Sequence, residues 1–367
     1  MGDAVLFLTV FAVTLALTPL LKQHAAGWQL VDLPGPRKLH TGAVPLVGGL
    51  AMGIAFLIVY AATRPAEETG RFFGLTAGVV LTLVGGALDD RRELRASLKF
   101  SFQIFAALII ATYGGALLTH FGQLMSAQLC TLGSWSLPIT IVCIVGVMNA
   151  INMSDGLDGL AGSLVLAACL GFGYVAGAGG DARMFTMICL TMGATAAFLV
   201  YNARSPWGRP VTVFMGDAGS LLLGLLVAWF SISLAMAQRP SLEPMTAVWI
   251  LALPLADMGT IMVRRMLRGR NPFIGDREHI HHILLALGLS HHRTTAVLFA
   301  AALGLAAFGI AADKLGVPSY FMFYGYLAAL AVYGVTAEIL CRRLDLRQPQ
   351  ALSALSIDFV DQAAPPR

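Results

Sequence analysis

The amino-acid sequence contains about eleven long apolar segments, separated by short stretches of polar residues or glycines. A helix needs about 20 mostly apolar residues to cross the hydrocarbon core of a bilayer. Because lipid offers the backbone no hydrogen-bond partners, a chain that crosses it repeatedly does so as helices. Only 12% of the 367 residues are charged and 57% are hydrophobic, which leaves too few charges for a soluble surface. The sequence therefore predicts an all-α, polytopic integral membrane protein with about 11 transmembrane helices.

The predicted spans are placed by the length of each apolar run. They cover residues 3–21, 45–62, 72–88, 98–118, 134–152, 160–177, 184–202, 217–236, 245–263, 294–312 and 318–340. Their ends are least distinct between residues 112 and 138, where Gly, Ser and Thr dilute the apolar pattern. Residues 1–340 are predicted to form a single transmembrane domain, and residues 341–367 a C-terminal tail.

Basic residues are unequally distributed between the two sets of alternating loops. Most of the 24 Lys and Arg residues fall on one set and on the C-terminal tail. Because cytoplasmic loops carry the excess of Lys and Arg, the N-terminus is predicted to lie outside and the C-terminus in the cytoplasm. Asp3 precedes the first apolar segment and the first basic residue, Lys22, follows it, so this segment is predicted to remain as an anchor rather than a cleaved signal.

Polar clusters gather on the predicted cytoplasmic side, and the first lies at the end of the third span. Asp89 and Asp90 stand there, followed by Arg91 and Arg92. Ionised residues at a membrane are costly and usually functional. The alternative is a solvated helix end whose carboxylates pair with their own arginines.

The second cluster follows the fifth span. Asn149, Asn152 and Asp155 recur every third residue, which predicts that they share one face of a helix, with Asp158 at the edge of that face. Amide and carboxylate oxygens in such a stripe suit Mg²⁺ or a nucleotide. A polar helix terminus with turn glycines is the alternative.

The third cluster opens the eighth span with Phe214 and Asp217. Asp217 falls in the first turn of that helix, which favours a carboxylate. We interpret Asp217 as a hard-cation ligand beside the ring of Phe214, with Asn202 as a possible polar contact. The alternative is that Asp217 caps the helix.

The fourth cluster holds three His in four residues after an arginine-rich loop. His279, His281 and His282 do not have the HExxH spacing of a zinc protease. With Arg265 and its neighbours they are typical of a phosphate-binding element. An amphipathic helix on anionic lipid headgroups is the alternative.

Two weaker features complete the polar face. Lys38 lies on a Pro- and Gly-rich loop, where it is either a phosphate contact or ordinary cytoplasmic positive charge. Asp257 lies inside the ninth span, where it either faces the polar clusters or pairs with a buried partner.

Together the clusters suit an enzyme that joins a soluble, metal-bound polyanion to an acceptor in the membrane. A secondary transporter is the main alternative, although its charges would lie near the bilayer midplane at paired broken helices. A CDP-alcohol phosphotransferase is disfavoured, because Asp155 is followed by GLDGLAG instead of the DGxxAR pattern.

Six stretches in order closely resemble the polyprenyl-phosphate N-acetylhexosamine-1-phosphate transferase family. They are VDLPGPRKLHTGAVPLVGG, GALDD, NAINMSDGLDGL, VFMGDAGS, PLADMGTIMVRRMLRGRNPF and DREHIHH, and they run from Val31 to His282. The sequences VPLVGG and HIHH, and the pair Asp155 and Asp158, are similar to the bacterial branch that uses simple N-acetylhexosamines.

The resemblance implies transfer of N-acetylglucosamine 1-phosphate from UDP-GlcNAc to undecaprenyl phosphate, or the same chemistry with another UDP-N-acetylhexosamine. The products would be undecaprenyl-diphospho-GlcNAc and UMP, in the first membrane step of O-antigen, enterobacterial common antigen or wall-polymer synthesis. It implies Mg²⁺, or Mn²⁺, as cofactor, membrane lipids as surroundings, a possible homodimer and no nucleic-acid partner. The transmembrane domain would be catalytic, in the bacterial cytoplasmic (inner) membrane with its active-site loops facing the cytoplasm.

The resemblance also assigns roles by motif position. The catalytic residues would be Asp89, Asp90 and Asp217, and the metal ligands would be Asp217 and Asn152. The substrate contacts would be Lys38, Lys99, Asn149, Asp155, Asp158, Asn202, Phe214, Arg265, His279, His281 and His282, with Asp158 and Phe214 on the uracil.

Overall fold

The computed structural model describes residues 2–33, 42–63, 69–204, 211–238, 240–269, 271, 278–344 and 346. Their helices are α1 (Asp3–His24), α2 (Gly48–Thr63), α3 (Thr69–Arg92), α4 (Ala96–Thr112), α5 (Ser136–Met153), α6 (Leu160–Ala178), α7 (Ala182–Asn202), α8 (Gly216–Ala235), α9 (Pro244–Ile250), α10 (Ala252–Leu267), α11 (Ile280–Ala286), α12 (His291–Lys314) and α13 (Ser319–Arg343). A 3₁₀ turn at Gly133–Trp135 precedes α5. The predicted all-α class is confirmed.

Eight of these helices are long and apolar enough to cross a membrane, and α9 with α10 forms a further candidate bent by 82°. Helices α2 and α4 are apolar but shorter. Each predicted span overlaps one of these helices or the bent pair, which identifies a multi-pass membrane protein. How many of the helices cross the bilayer, and in which direction, stays a prediction.

The bend between α9 and α10 divides the predicted span 245–263. Pro254 has no backbone N–H, so the carbonyl of Ile250, four residues earlier, loses its helical partner. The helix ends at Ile250 and restarts at Ala252 in a new direction. The predicted span 98–118 was also too long, because α4 ends at Thr112 just before the glycine pair Gly114-Gly115.

Helix α8 is the centre of the molecule. Its sequence is apolar on every side, and almost all of its residues are buried, which is typical of a helix surrounded by others. Helices α2, α3 and α5 pack around it, and α6, α7 and α9 also contact it. The N-terminal end of α8 therefore meets the ends of several helices.

A two-stranded antiparallel sheet connects this end of the bundle to the chain before α2. Strand β1 (Val31–Asp32) pairs with β2 (Val44–Pro45). The N–H of Phe214 donates to the carbonyl of Pro45 at 2.8 Å, and the N–H of Gly48 donates to the carbonyl of Phe214 at 3.0 Å. These bonds hold the segment before α8 against the start of α2.

Candidate active site

The first turn of α8 is capped by a carboxylate from α3. Asp90 Oδ1 accepts from the N–H of Asp217 at 2.7 Å, and Asp90 Oδ2 accepts from the N–H of Ala218 at 3.2 Å. Gly216, the residue before Asp217, has φ +70°, and a Cβ there would lie 2.5 Å from Asp90 Oδ2. Asp217 therefore does not cap its own helix, and its carboxylate is available to other groups.

The side chain of Asp217 contacts helices α5 and α4. Its Oδ1 accepts from Asn152 Nδ2 at 2.7 Å, and its Oδ2 lies 3.6 Å from Lys99 Nζ. Asn152 Nδ2 also donates to the hydroxyl of Ser220 at 2.8 Å, one turn along α8. Three helix ends thus converge on one carboxylate.

Asp89 lies on the other side of Lys99. Its Oδ2 lies 2.5 Å from Lys99 Nζ, and its Oδ1 accepts from the N–H of Leu94 at 2.8 Å. The alternative that Asp89 pairs with the following arginines is therefore wrong, and Arg91 Nε donates to Gln29 Oε1 instead. We call Asp89, Asp90, Lys99, Asn152 and Asp217 the carboxylate cluster.

Negative charge exceeds positive charge around the carboxylate cluster. The carboxylates of Asp89 and Asp217 contact the ammonium of Lys99, Asp90 adds a third carboxylate at the backbone of Asp217, and Asp155 adds a fourth carboxyl group nearby. Burial, then the negative charges of Asp217 and Asp158, raise the pKa of Asp155 well above its ordinary value, so this carboxyl group adds oxygen atoms rather than a negative charge. Such an excess of hard oxygen atoms favours the binding of a cation.

The turn after α5 differs from the helical stripe that we expected. Helix α5 ends at Met153, and Gly159 has φ +75°, so Asp155 and Asp158 lie in a turn between two helices. The reason is that glycine-rich segments do not sustain a helix. Asp158 Oδ2 pairs with Arg204 Nε at 2.6 Å, two residues after α7 ends at Asn202.

Two of the predicted substrate amides bond to other protein groups. Asn202 Oδ1 accepts from the N–H of Gly159 at 2.8 Å, and its Nδ2 donates to the carbonyl of Val213 at 2.9 Å, so it ties together the segments on either side of the site. Asn149 Nδ2 donates to Gln103 Oε1 at 2.6 Å. Both amides thus contact protein partners.

A second cluster forms where α10, α11 and α13 meet. Asp257 Oδ2 accepts from His279 Nδ1 at 2.7 Å. Asp257 Oδ1 accepts from the N–H of Ile280 at 3.0 Å and from the hydroxyl of Tyr333 at 2.6 Å. Asp257 therefore pairs with a buried partner, one of the two alternatives left open by the sequence. We call Asp257, His279, His281 and Tyr333 the histidine cluster.

His281 joins the histidine cluster to the turn after α5. Its ring stacks on that of His279 with centroids 5.5 Å apart, and the ring of His282 follows at 4.2 Å. A Cβ on Gly156 would lie 2.5 Å from His281 Nε2, so only glycine allows this approach. Burial, with the neighbouring histidines, lowers the pKa of His281 well below its ordinary value and keeps the ring neutral.

The arginines of α10 are buried rather than spread on a lipid surface. Arg264 and Arg265 are 7% and 4% exposed. Arg264 Nη2 donates to the carbonyl of Glu278 at 3.0 Å, and Arg268 pairs with Glu278 Oε1 at 2.6 Å. For these residues the alternative of a helix lying on lipid headgroups is wrong. Lys38 lies outside the described residues.

Comparison with known proteins agrees with this arrangement. Residues 72–235 match the model of glycosyl transferase family 4. A protein of Escherichia coli O157:H7 named undecaprenyl-phosphate alpha-N-acetylglucosaminyl 1-phosphate transferase is 31% identical over 306 residues, 83% of each chain. The chain belongs to glycosyl transferase family 4.

Two further relatives have similar names. A Yersinia pestis undecaprenyl-phosphate alpha-N-acetylglucosaminyl 1-phosphate transferase is 31% identical over 332 residues, 89% of this chain and 88% of its own. A probable undecaprenyl-phosphate N-acetylglucosaminyl 1-phosphate transferase of Bacillus subtilis (strain 168) is 32% identical over 295 residues, 80% of each chain. These matches confirm the resemblance carried by the motifs. They also favour a transferase over a transporter.

The family match covers one cluster and not the other. Residues 72–235 contain the whole carboxylate cluster of this family 4 transferase, whereas Asp257, His279 and Tyr333 lie beyond them. Sequence reasoning missed Gln103, although it follows Lys99 by four residues and so shares its helix face. It also missed Tyr333, because this apolar helix carries several Tyr residues and nothing in the sequence singles out one of them.

Proposed function

We propose that this family 4 transferase moves N-acetylglucosamine 1-phosphate from UDP-GlcNAc to undecaprenyl phosphate. A lipid phosphate oxygen would form a bond to the β-phosphorus while the bond from that phosphorus to the bridging oxygen breaks, which releases UMP. The names of the relatives support the substrates. The observation that carries the proposal is the carboxylate cluster, in which Asp217, Asp89 and Lys99 converge at helix ends.

Asp217 and Asn152 would hold Mg²⁺ or Mn²⁺. The donor set fits a hard cation, because carboxylate and amide oxygens are its preferred ligands and negative charge is in excess here. Asn152 Nδ2 already faces Asp217 and Ser220, which leaves the amide oxygen as its coordinating atom. When bound, the ion would neutralise the charge of the diphosphate.

Asp89 and Lys99 would act on the transferred phosphate. Lys99, held between Asp89 and Asp217, would stabilise the negative charge of the phosphate oxygens. A phosphate monoester has its second pKa near about 6, so the lipid phosphate is mostly dianionic at neutral pH and attacks directly. Asp89 would take a proton only from the minor monoanion.

Residues around the turn after α5 would bind the nucleotide and the sugar. Asp158 and Phe214 would recognise uracil, and His279 with His282 would contact the sugar or phosphate. Asp158 pairs with Arg204, so binding through its carboxylate requires that this ion pair rearranges or is shared. Asn202 would support this site through the backbone of Gly159.

We propose that this enzyme lies in the bacterial cytoplasmic (inner) membrane, with the active site facing the cytoplasm. The excess of Lys and Arg on one set of loops supports this orientation. Its product would be the first lipid-linked intermediate of O-antigen, common-antigen or wall-polymer synthesis.

A reconstituted assay tests the proposal. Purified protein in detergent receives undecaprenyl phosphate, MgCl₂ and, in separate reactions, UDP-GlcNAc, UDP-GalNAc or UDP-glucose. We expect UMP release and a lipid-linked sugar with UDP-GlcNAc, and neither with Asp217→Asn. Turnover with UDP-GalNAc alone would change the assigned sugar, and no UMP from any donor would overturn the function.

A further inference from the structure

Asp257 is a buried carboxylate that the proposed chemistry does not use. It lies in α10 and is 4% exposed, whereas the carboxylate cluster lies on α3, α4, α5 and α8. A buried carboxylate is costly unless donors compensate it. Here three donors from three segments do so: the ring of His279, the N–H of Ile280 and the hydroxyl of Tyr333.

This arrangement fixes the ring of His279. A carboxylate only accepts, so Nδ1 of His279 carries a proton in either charge state of the ring. The remaining ring nitrogen, Nε2, is then the atom available to a ligand. The second carboxylate oxygen holds the N–H of Ile280 at 3.0 Å, in the first turn of α11. The side chain of Asp257 therefore fixes both the orientation of the His279 ring and the position of the backbone at Ile280, the next residue.

The ring of His279 belongs to a row of contacts that ends at Gly156, in the turn after α5 where we propose that the nucleotide binds. His279 stacks on His281, and His281 contacts Gly156, next to Asp155. The contact with Gly156 fixes one end of the row and Asp257 fixes the other. A change at Asp257 should therefore shift the ring of His279 relative to that of His281, which contacts the turn after α5.

We propose that Asp257 is a positioning residue for the nucleotide-sugar donor, which orients His279 so that its Nε2 binds the sugar or phosphate of that donor. The inference rests on the proposed function, since it assigns a role within the same site. Asp257 itself would touch no substrate. Partners that orient a metal-binding His commonly cost about 10- to 100-fold in activity when changed, and we expect a loss of similar size here.

A double-mutant cycle tests whether Asp257 acts through His279. Asp257→Asn should lower kcat/KM for UDP-GlcNAc by about 10- to 100-fold and change KM for undecaprenyl phosphate by less than about 2-fold. In a His279→Gln background the same substitution should cost less than about 3-fold, because the interaction is already lost. Thr260→Val is the matched control, since Thr260 bonds only to carbonyls of its own helix.

Additive losses in the cycle, or equal losses for both substrates, would overturn the inference. If Asp257→Asn does not purify as a folded protein, ¹⁵N NMR of the wild-type histidines decides instead. The signal of His279, identified by its disappearance in His279→Gln, should show a proton on Nδ1, and an unprotonated Nδ1 would overturn the inference. Wild-type protein that releases no UMP would refute the proposed function, and the position of this proton is measured independently of turnover.

Discussion

The carboxylate cluster and the histidine cluster both bury acidic groups at helix ends, but they balance charge differently. In the first, Asp89 and Asp217 share the ammonium of Lys99, and Asp90 adds a third carboxylate at the backbone of Asp217. In the second, the single carboxylate of Asp257 has three donors. A group with unbalanced charge favours an added cation, whereas a satisfied carboxylate fixes the geometry of its neighbours. The first cluster is therefore suited to chemistry and the second to positioning.

The same contrast separates two adjacent residues. Asp89 and Asp90 follow each other on α3, and successive side chains on a helix point about 100° apart. Asp89 consequently faces Lys99 on α4, and Asp90 faces the backbone of α8. Adjacent carboxylates can thus serve different roles, and their substitution should separate them.

The largest effect is expected at Asp217. Asp217→Asn removes the charge that would bind the cation, and activity should fall by at least about 100-fold even at saturating Mg²⁺. Folding should be unaffected because Asp90 still caps α8. UMP release and the melting temperature in detergent measure the two effects. Asp181→Asn is the control, since Asp181 caps α7 and asparagine caps equally well. Near-normal turnover of Asp217→Asn would remove the distinction between the clusters.

Asp89→Asn should show a loss that depends on pH. If Asp89 accepts a proton from the lipid phosphate monoanion, activity should fall about 10- to 100-fold near pH 6 and recover toward pH 8–9, where the phosphate is already dianionic. Initial rates across this range, with wild-type protein measured in parallel, provide the test. A loss of equal size at every pH would assign Asp89 to holding Lys99 instead.

Asp90→Ala should affect stability as well as activity. Loss of the acceptors for the N–H groups of Asp217 and Ala218 should cost about 1 kcal/mol, or about 2 °C in melting temperature. Activity should fall by about 10-fold and the requirement for Mg²⁺ should rise, because Asp217 is less well positioned. Asp90→Asn, which keeps one acceptor, should lie between Asp90→Ala and wild type. If Asp90→Ala lost all activity with an unchanged melting temperature, Asp90 would be assigned a catalytic role instead.

The smallest effect concerns the pH dependence of stability in the histidine cluster. The pKa of His281 is lowered in the folded protein, so the unfolded chain binds the proton more readily, and stability falls as the pH drops below about 6.5. The melting temperature should decrease by a few degrees between pH 7 and pH 5, and by less in His281→Gln. His292→Gln, at an exposed histidine, should melt as wild type does. Identical pH profiles for all three proteins would contradict a neutral, buried His281.

Several site residues could be identified from sequence because their spacing carries the signal. Asp217 follows a glycine at the start of an apolar run, and Asn152 ends another, so both were expected at helix ends on one side of the membrane. The predicted helical face is wrong at Asp155, because polar residues at every third position do not show that the helix stops at Met153. The capping role of Asp90 could not be predicted, because it depends on a backbone 127 residues away.

The sequence by itself determined the helices, because apolar runs of this length must satisfy their backbone hydrogen bonds internally in lipid. It also placed the polar residues at helix ends, since ionised groups are costly within the hydrocarbon. The tertiary structure alone decided which polar groups meet. The pairing of Asp89 with Lys99, of Asp90 with α8 and of Asp257 with His279 depends on how each helix is rotated about its axis. The packing of side chains around α8 sets that rotation. It cannot be read from the order of residues along any one helix.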